Sequence, residues 1–247
     1  RVVGEGGEEG QGSGGAGERG SGVAGRGASE ISDLRFEKGR GGRLELGVTE
    51  AQAGAAREVL ARAGVGAGEA YAVLNPGAND VAKGWPAAGF GAVAAHLVRE
   101  RGMKVLVNGA PGEVEVCEEV VRVANASLAD KPPVPRVQGD TVVALPRLGV
   151  AIGSLKGVVR GARLMVTNDT GPRHVAAAFG VPLVVLYGPT DYRWTVIPET
   201  TGPSEDVLAD PTLPAEWSAN DHPERCRIDR IVAERVVGAV ERVLGRA

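Results

Sequence analysis

The chain has 247 residues, of which 43% are hydrophobic and 24% charged, and its formal net charge at pH 7 is −3. This balance is that of a globular protein, and it lacks the basic excess of a nucleic-acid binder. No apolar run approaches the roughly 18 residues of a membrane span, and the first residues lack the apolar stretch of a signal peptide. Cys117 and Cys226 match no metal-binding spacing, so we expect free thiols and a reducing cytoplasm.

The first 42 residues differ sharply in composition from the rest. Residues 1–27 hold 12 of the 38 glycines, with Glu, Ser and Arg between them and little to bury. Such a segment cannot recover the entropy lost on ordering, so we predict that residues 1–42 are disordered and that residues 43–247 form one domain. The G-x-G-x-x-G matches from Gly12 and Gly20 follow no strand and do not indicate a dinucleotide site. The chain also begins at Arg1 rather than Met, which suggests a fragment.

From Leu44 onward, helical and strand patterns alternate. Thr49 and Gln52 form a capping-box pattern ahead of apolar residues at helical spacing that end at Gly64. The patterns that follow predict, in chain order, strand 71–74, helix 86–101, strand 103–107, helix 111–128, helix 148–160, strand 164–167, helix 172–179, strand 183–187 and helix 228–244. This alternation predicts an α/β domain with a Rossmann-like, doubly wound parallel sheet. Ligands of such sheets bind at the carboxyl ends of the strands.

Two of the polar loops at these strand ends contain a charged residue beside a helix start. Lys83 stands just before the helix start at Pro86, where it either meets a ligand phosphate or is solvated in an ordinary loop. Glu113 falls in the first turn of the next helix, where the helix dipole favours a carboxylate. Alternatively, it accepts hydrogen bonds from ribose hydroxyls. Spacing alone leaves both pairs of alternatives open.

A third loop, residues 168–174, reads Asn-Asp-Thr-Gly-Pro-Arg-His between a strand and a helix. Its proline fits the first helical position, and the free N–H groups beside it form a ready anion site. Thr170 adds a hydroxyl donor and His174 a ring donor. The alternative makes Asp169 a simple cap and His174 a surface residue. A fourth loop, residues 188–191, is expected to close the same cleft.

Other common site motifs are missing from the sequence. There is no Walker lysine motif, no G-x-S-x-G elbow and no cluster of His and Cys. The three histidines are well separated along the chain. We therefore expect neither a metal nor a cofactor.

Taken together, four motifs resemble the C-terminal domain of glycosyltransferase family 9, the heptosyltransferases. They are Lys83-Gly84-Trp85-Pro86, the 168–174 loop, the Ala-Ala-Ala-Phe-Gly-Val-Pro run at 176–182 and Gly188-Pro189-Thr190-Asp191. The resemblance covers about residues 43–245. It implies the C-terminal half of a GT-B fold, in which two Rossmann-like domains face each other across a cleft.

The resemblance also implies an activity. The family transfers heptose from ADP-heptose to a lipopolysaccharide core acceptor, with inversion and without a metal, and the C-terminal domain binds the nucleotide-sugar donor. Neither a nucleic-acid partner nor a cofactor is implied. The location implied is the cytoplasm, at the inner face of the inner membrane, with peripheral membrane contact left open.

The motif match carries specific donor-binding roles onto this sequence. Lys83 is expected to contact the donor phosphate or sugar, Glu113 the ribose on a looser alignment, and Leu148 the base. The remaining residues, expected to surround the diphosphate and sugar, are Asp169, Thr170, Gly171 and His174.

Two features depart from the family pattern. Arg173 occupies a position where the family often has an apolar residue such as Met, and a cation there either strengthens diphosphate binding or faces solvent. Residues 1–42 do not resemble the acceptor domain, which the resemblance implies to supply the catalytic carboxylate, so the catalytic residue is unknown. We therefore expect this chain to supply the donor-binding half. The alternative is a nucleotide-sugar-binding domain without independent activity, and a domain for some other nucleotide is disfavoured by the missing redox fingerprint.

Overall fold

The computed structural model describes residues 35–36, 44–131, 139–197 and 202–247. Near the start, strands β1 (Arg35–Phe36) and β2 (Leu44–Glu45) pair antiparallel. Strand β1 lies within the segment 1–42 that composition predicts to be disordered, so this short part has a strand where none is expected. The rest of that segment lies outside the described residues.

Six strands of the described residues form one parallel sheet. They are β3 (Tyr71–Asn75), β4 (Lys104–Val107), β5 (Val142–Ala144), β6 (Leu164–Asn168), β7 (Leu183–Tyr187) and β8 (Ser204–Leu208). Their spatial order is β5-β4-β3-β6-β7-β8, and every neighbouring pair is parallel. The winding direction reverses between β3 and β6, which makes the crevice beside these two strand ends the topological switch point. The Rossmann-like, doubly wound prediction is confirmed.

Helices cover both faces of this sheet. They are α1 (Glu50–Arg62), α2 (Ala87–Arg101), α3 (Val114–Asp130), α4 (Ile152–Arg160), α5 (Pro172–Ala178) and α6 (Ala233–Leu244). Helices α1, α4 and α5 pack on one face, and α2, α3 and α6 on the other. Successive strand residues alternate between the two cores, as Val73 and Leu74 do in β3. None of the helices in the described ranges has the length and apolar character needed to cross a membrane.

The observed helix ends agree in part with those predicted from the sequence. The Thr49 hydroxyl accepts from Gln52 N and the Gln52 side chain accepts from Thr49 N, which confirms the capping box. Pro86 is the N-cap of α2 rather than its first residue. The predicted helix 148–160 begins only at Ile152, because Gly149 adopts a φ of 63° and ends a 3-10 turn.

Trp85 joins the loop before α2 to the segment before α6. Its ring is 3% exposed and packs edge-on against Phe90, with centroids 5.0 Å apart. Its indole Nε1 donates to the Ile231 carbonyl at 2.8 Å. The tryptophan of the Lys-Gly-Trp-Pro motif is therefore a core residue that fixes the loop containing Lys83.

Candidate functional site

Three asparagines meet at the carboxyl edge of the sheet. Asn75 and Asn168 are the last residues of β3 and β6, Asn108 follows β4, and all three are buried. Asn108 Nδ2 donates to Asn75 Oδ1 at 2.6 Å, and Asn75 Nδ2 donates to Thr170 Oγ1 at 3.2 Å. These hydrogen bonds connect the ends of β4, β3 and β6, so the three loops that follow these strands share one frame at the switch point.

Asn168 holds the loop that follows β3. Its Nδ2 donates to the carbonyls of Pro76, at 2.8 Å, and Gly77, at 3.3 Å. Its Oδ1 accepts from Trp85 N at 3.3 Å. Both ends of the 76–85 loop are thus fastened to β6, and the middle of that loop contains Lys83.

Lys83 closes a 3-10 turn, Val81–Lys83. Asp80 caps this turn by accepting from Ala82 N at 2.9 Å. The Lys83 side chain is half-buried, and within the described ranges its ammonium has neither an ion pair nor a hydrogen bond. A fixed backbone with an uncommitted cation is suited to binding an anion.

Glu113 lies between the loops after β3 and β4. Its Oε2 accepts from Ala110 N at 2.7 Å, which is the capping role that the sequence allows. Its carboxylate also fills the space beside the α-carbon of Gly77, where any β-carbon would collide with it. Among the described residues no group donates to Oε1, so one oxygen is available to a ligand hydroxyl. The capping and ligand-binding roles are compatible.

The loop after β6 departs from the prediction in part, because Arg173 N donates to the Thr170 carbonyl at 3.3 Å and His174 N to the Gly171 carbonyl at 3.0 Å, so these two N–H groups are not free. The Thr170 hydroxyl lies 3.3 Å from that of Thr167 and accepts from Asn75. Gly171 is exposed, and a β-carbon there would meet no atom within 4 Å. His174 is half-buried, and burial together with the Arg173 charge lowers its pKa, with Asp169 opposing this. The imidazole is therefore neutral near pH 7 and can donate one hydrogen bond.

One of the two roles expected for Arg173, a side chain that faces solvent, is wrong. Arg173 is 2% exposed, so it does not face solvent, and its guanidinium points into the protein rather than the cleft. Nη2 pairs with Asp169 Oδ1 at 3.0 Å and donates to the Thr195 carbonyl at 2.7 Å. Nη1 donates to the Tyr187 hydroxyl at 2.6 Å.

Asp169 is correspondingly turned inward. Its side chain is 7% exposed, and its second oxygen accepts from Thr195 Oγ1 at 3.4 Å. Both carboxylate oxygens therefore have protein partners. The geometry places Asp169 behind the site, whereas Thr170 and Gly171 stand at its edge.

Leu148 ends a 3-10 turn, Leu145–Leu148, that follows β5 at the same edge of the sheet. It is half-buried and packs against the core that α1 and α4 cover. The preceding Arg147 pairs with Glu118 of α3, the helix that follows Glu113. An apolar side chain is thus partly exposed at the strand end beyond that of Glu113.

The fourth loop builds a different concavity. Asp191 accepts from Arg193 N at 3.0 Å and from Ala219 N at 3.2 Å, and it pairs with the Arg193 guanidinium. These hydrogen bonds, of which the one from the Arg193 side chain has the largest effect, hold the pKa of Asp191 well below its usual range. Asp191, Arg193 and Trp217 help to line a cleft of about 270 Å³ at the ends of β7 and β8. None of the predicted donor-binding residues lines that cleft.

Within the part of the chain that the structure describes, no three His, Cys, Asp or Glu side chains are grouped as a metal site would need. Cys117 and Cys226 are free and buried. Burial, with Glu113 and Glu118 adding to it, raises the pKa of the Cys117 thiol to about 12.

The three buried asparagines are absent from the predicted site. A signal for them exists, because each follows four residues of a strand: Tyr-Ala-Val-Leu-Asn, Lys-Val-Leu-Val-Asn and Leu-Met-Val-Thr-Asn. Buried amides at the ends of three neighbouring parallel strands need hydrogen-bond partners. These partners lie at the carboxyl edge of the sheet.

Comparison with known proteins gives a family match. The sequence model of glycosyltransferase family 9 (heptosyltransferase) matches residues 39–210. Lipopolysaccharide heptosyltransferase 3 of Escherichia coli is 34% identical over 137 residues, which are 55% of this chain and 36% of that protein. The chain thus spans about a third of that relative's length.

Solved structures show the same fold. A glycosyltransferase of family 9 from Veillonella parvula superposes with a TM-score of 0.66 at 22% identity, over 83% of this chain and 54% of the other. The ADP-heptose lipopolysaccharide heptosyltransferase II of E. coli superposes with a TM-score of 0.60 at 21% identity, over 81% and 53%. In both cases the likeness covers about half of the larger protein.

Proposed function

This chain belongs to glycosyltransferase family 9, and from that membership we propose that it supplies the donor-binding half of a heptosyltransferase-type enzyme. The reaction is transfer of a heptose from ADP-heptose to a lipopolysaccharide core acceptor. Its support is the match to proteins named as lipopolysaccharide heptosyltransferases and the shared fold with one named for ADP-heptose. Because the matched region covers about a third of the curated relative, the activity of the whole enzyme is part of the proposal.

The observation that carries the proposal is the meeting of three loops at the switch point. Asn75 ends β3 and Thr170 lies in the loop after β6, and these are the two strands where the winding reverses; Asn75 Nδ2 donates to Thr170 Oγ1 at 3.2 Å. The uncommitted Lys83 follows the first of these strands, and Glu113 follows the next strand outward. A nucleotide bound in such a sheet occupies this crevice.

Roles for the individual residues follow from their placement. Lys83 neutralises the diphosphate, while the Thr170 hydroxyl and the backbone at the exposed Gly171 donate to it. His174 donates from its neutral ring. The free oxygen of Glu113 accepts from a ribose hydroxyl, and the base lies towards Leu148, two strands out from the switch point. Asp169 stands behind these residues, where its charge is balanced by Arg173.

The chemistry proposed is an inverting transfer without a metal. Departure of the nucleoside diphosphate builds negative charge on its β-phosphate, and fixed N–H dipoles and a nearby cation stabilise that charge most when it is fully developed. The deprotonating base must stand on the face opposite the leaving group, and Asp169 lies on the diphosphate side and is turned inward. We assign no catalytic residue within the described residues.

An alternative is a nucleotide-sugar-binding domain without activity of its own. This alternative needs a test because the chain covers only part of its relatives' length. Wild-type chain, ADP-heptose and a lipopolysaccharide core acceptor are incubated, and transfer is followed by mass spectrometry. We expect donor binding with little transfer, because acceptor positioning and proton removal contribute many orders of magnitude in rate. Transfer at the rate of a complete family member would show that a base is present, and failure to bind ADP would overturn the proposed donor site.

The location proposed is the cytoplasm, at the inner face of the inner membrane. Two buried free thiols without a disulfide are consistent with a reducing compartment. The acceptor core of such a reaction is attached to lipid, which favours contact with the membrane surface by the assembled enzyme.

A further inference from the structure

The most buried charge pair near the proposed site is that of Asp169 and Arg173, whose side chains are 7% and 3% exposed. Buried ions are costly unless paired and hydrogen-bonded. Here the guanidinium has three partners: Asp169 at the start of the loop, Tyr187 at the end of β7 and Thr195 in the segment after β7. The Tyr187 ring also lies under the guanidinium, 5.7 Å from its carbon.

This pair adjoins the residues that face the proposed ligand. Thr170 and Gly171 follow Asp169 directly, and His174 follows Arg173. A lone carboxylate at position 169 would place a negative charge behind the loop that is proposed to bind a diphosphate. Like charges repel each other, and more strongly in a partly buried site than in water. The buried cation removes that charge without itself contacting the ligand.

We propose that Arg173 is a positioning residue of the donor site, which neutralises Asp169 and ties the 168–171 loop to Tyr187 and Thr195 so that a diphosphate meets an uncharged loop. This inference rests on the proposed donor site. It gives Arg173 an indirect electrostatic way of strengthening diphosphate binding, which is one of the two roles that the sequence suggests.

The electrostatic role predicts opposite effects from the two partners. Arg173→Met leaves the carboxylate unpaired and should weaken ADP binding about fivefold. Asp169→Asn leaves the Arg173 cation without its carboxylate partner and should strengthen ADP binding. The double variant Asp169→Asn with Arg173→Met should recover the part of the affinity that the unpaired carboxylate costs, while the loss due to the missing ties to Tyr187 and Thr195 should remain. A role in folding alone would make both single variants bind more weakly, in step with their thermal unfolding temperatures.

A second readout is independent of the ligand. Arg173 and Asp169 are the charged neighbours of the His174 ring, acting in opposite directions. By NMR titration the pKa of His174 should therefore rise in Arg173→Met and fall in Asp169→Asn.

The experiment measures ADP affinity by calorimetry, the His174 pKa by NMR and thermal unfolding on the 247-residue chain and these three variants. Opposite changes in affinity together with opposite pKa shifts support the inference. Equal losses of affinity in both single variants, or a His174 pKa that does not move, would overturn it. No ADP binding by the wild type, with the pKa shifts present, would instead overturn the proposed donor site and with it the role of Arg173 there.

Discussion

The carboxylate of Glu113 lies against the α-carbon of Gly77, in the space that a β-carbon at position 77 would fill. This relationship joins the loops after β3 and β4, and it depends on glycine for its space rather than for backbone freedom. The Glu113 side chain is held in place on its other side by the Ala110 N–H.

Replacement of Gly77 by alanine should therefore displace Glu113. Because the atoms that must move are the far end of a flexible side chain, we expect little change in stability. ADP affinity should fall about tenfold, since a hydrogen bond to a charged group is lost. Gly112→Ala is the control, because a β-carbon there meets no atom within 4 Å. Calorimetry with ADP checks both, and equal affinities for the two variants would exclude Glu113 from the site.

Trp85→Phe should destabilise the fold by about 1–3 kcal/mol. The substitution removes the indole donor from the Ile231 carbonyl and leaves that acceptor buried, and it opens a small cavity beside Phe90. Trp194, which is 67% exposed, provides the control Trp194→Phe. Urea denaturation of the two variants measures the difference, and similar losses would show that the Trp85 hydrogen bond contributes nothing specific.

Glu241 makes stability depend on pH in the acid range. It pairs with Arg101 of α2 and also contacts His96. The hydrogen bond from Arg101, and to a lesser extent that from His96, lowers the pKa of Glu241 from 4.5 to about 2. Since the folded pKa is depressed, the stabilisation is present above about 4.5 and is lost as the pH falls to about 2. It amounts to at most about 1 kcal/mol, because the pair is partly exposed.

Glu241→Gln should consequently be less stable than wild type at pH 7, with the difference vanishing near pH 2. Glu58→Gln, on the exposed surface of α1, is the control. Denaturation curves at pH 7, 4 and 3 provide the test. A Glu241→Gln deficit that stays constant over this range would contradict the ion-pair explanation.

The sequence predicted the buried parallel strands well because their residues are apolar on both faces. It missed β8, whose Ser-Glu-Asp-Val-Leu sequence has only Val207 buried, since an edge strand leaves no strong hydrophobic pattern. It also missed β5, which has three residues. Three predicted helix starts proved to be 3-10 turns, a distinction that apolar spacing cannot make.

At the site, motifs located the loops but not the direction of their side chains. Arg173 points inward because Tyr187 and Thr195, 14 and 22 residues further along the chain, provide its acceptors. The position of the Glu113 carboxylate also depends on Gly77, 36 residues earlier. Such contacts between distant segments exist only once β3, β4, β6 and β7 are aligned, and one sequence does not show that alignment.

The central claim is that the carboxyl edge around Lys83 and Thr170 binds a nucleoside diphosphate. Calorimetric titration of the chain with ADP tests it most directly, with Lys83→Ala and the control Lys131→Ala. Lys131 follows α3, whose end lies at the opposite edge of the sheet from its start. We predict that Lys83→Ala weakens ADP binding by about 1–3 kcal/mol and that Lys131→Ala binds as the wild type does. Equal affinities for all three proteins, or no binding by the wild type, would contradict the assignment.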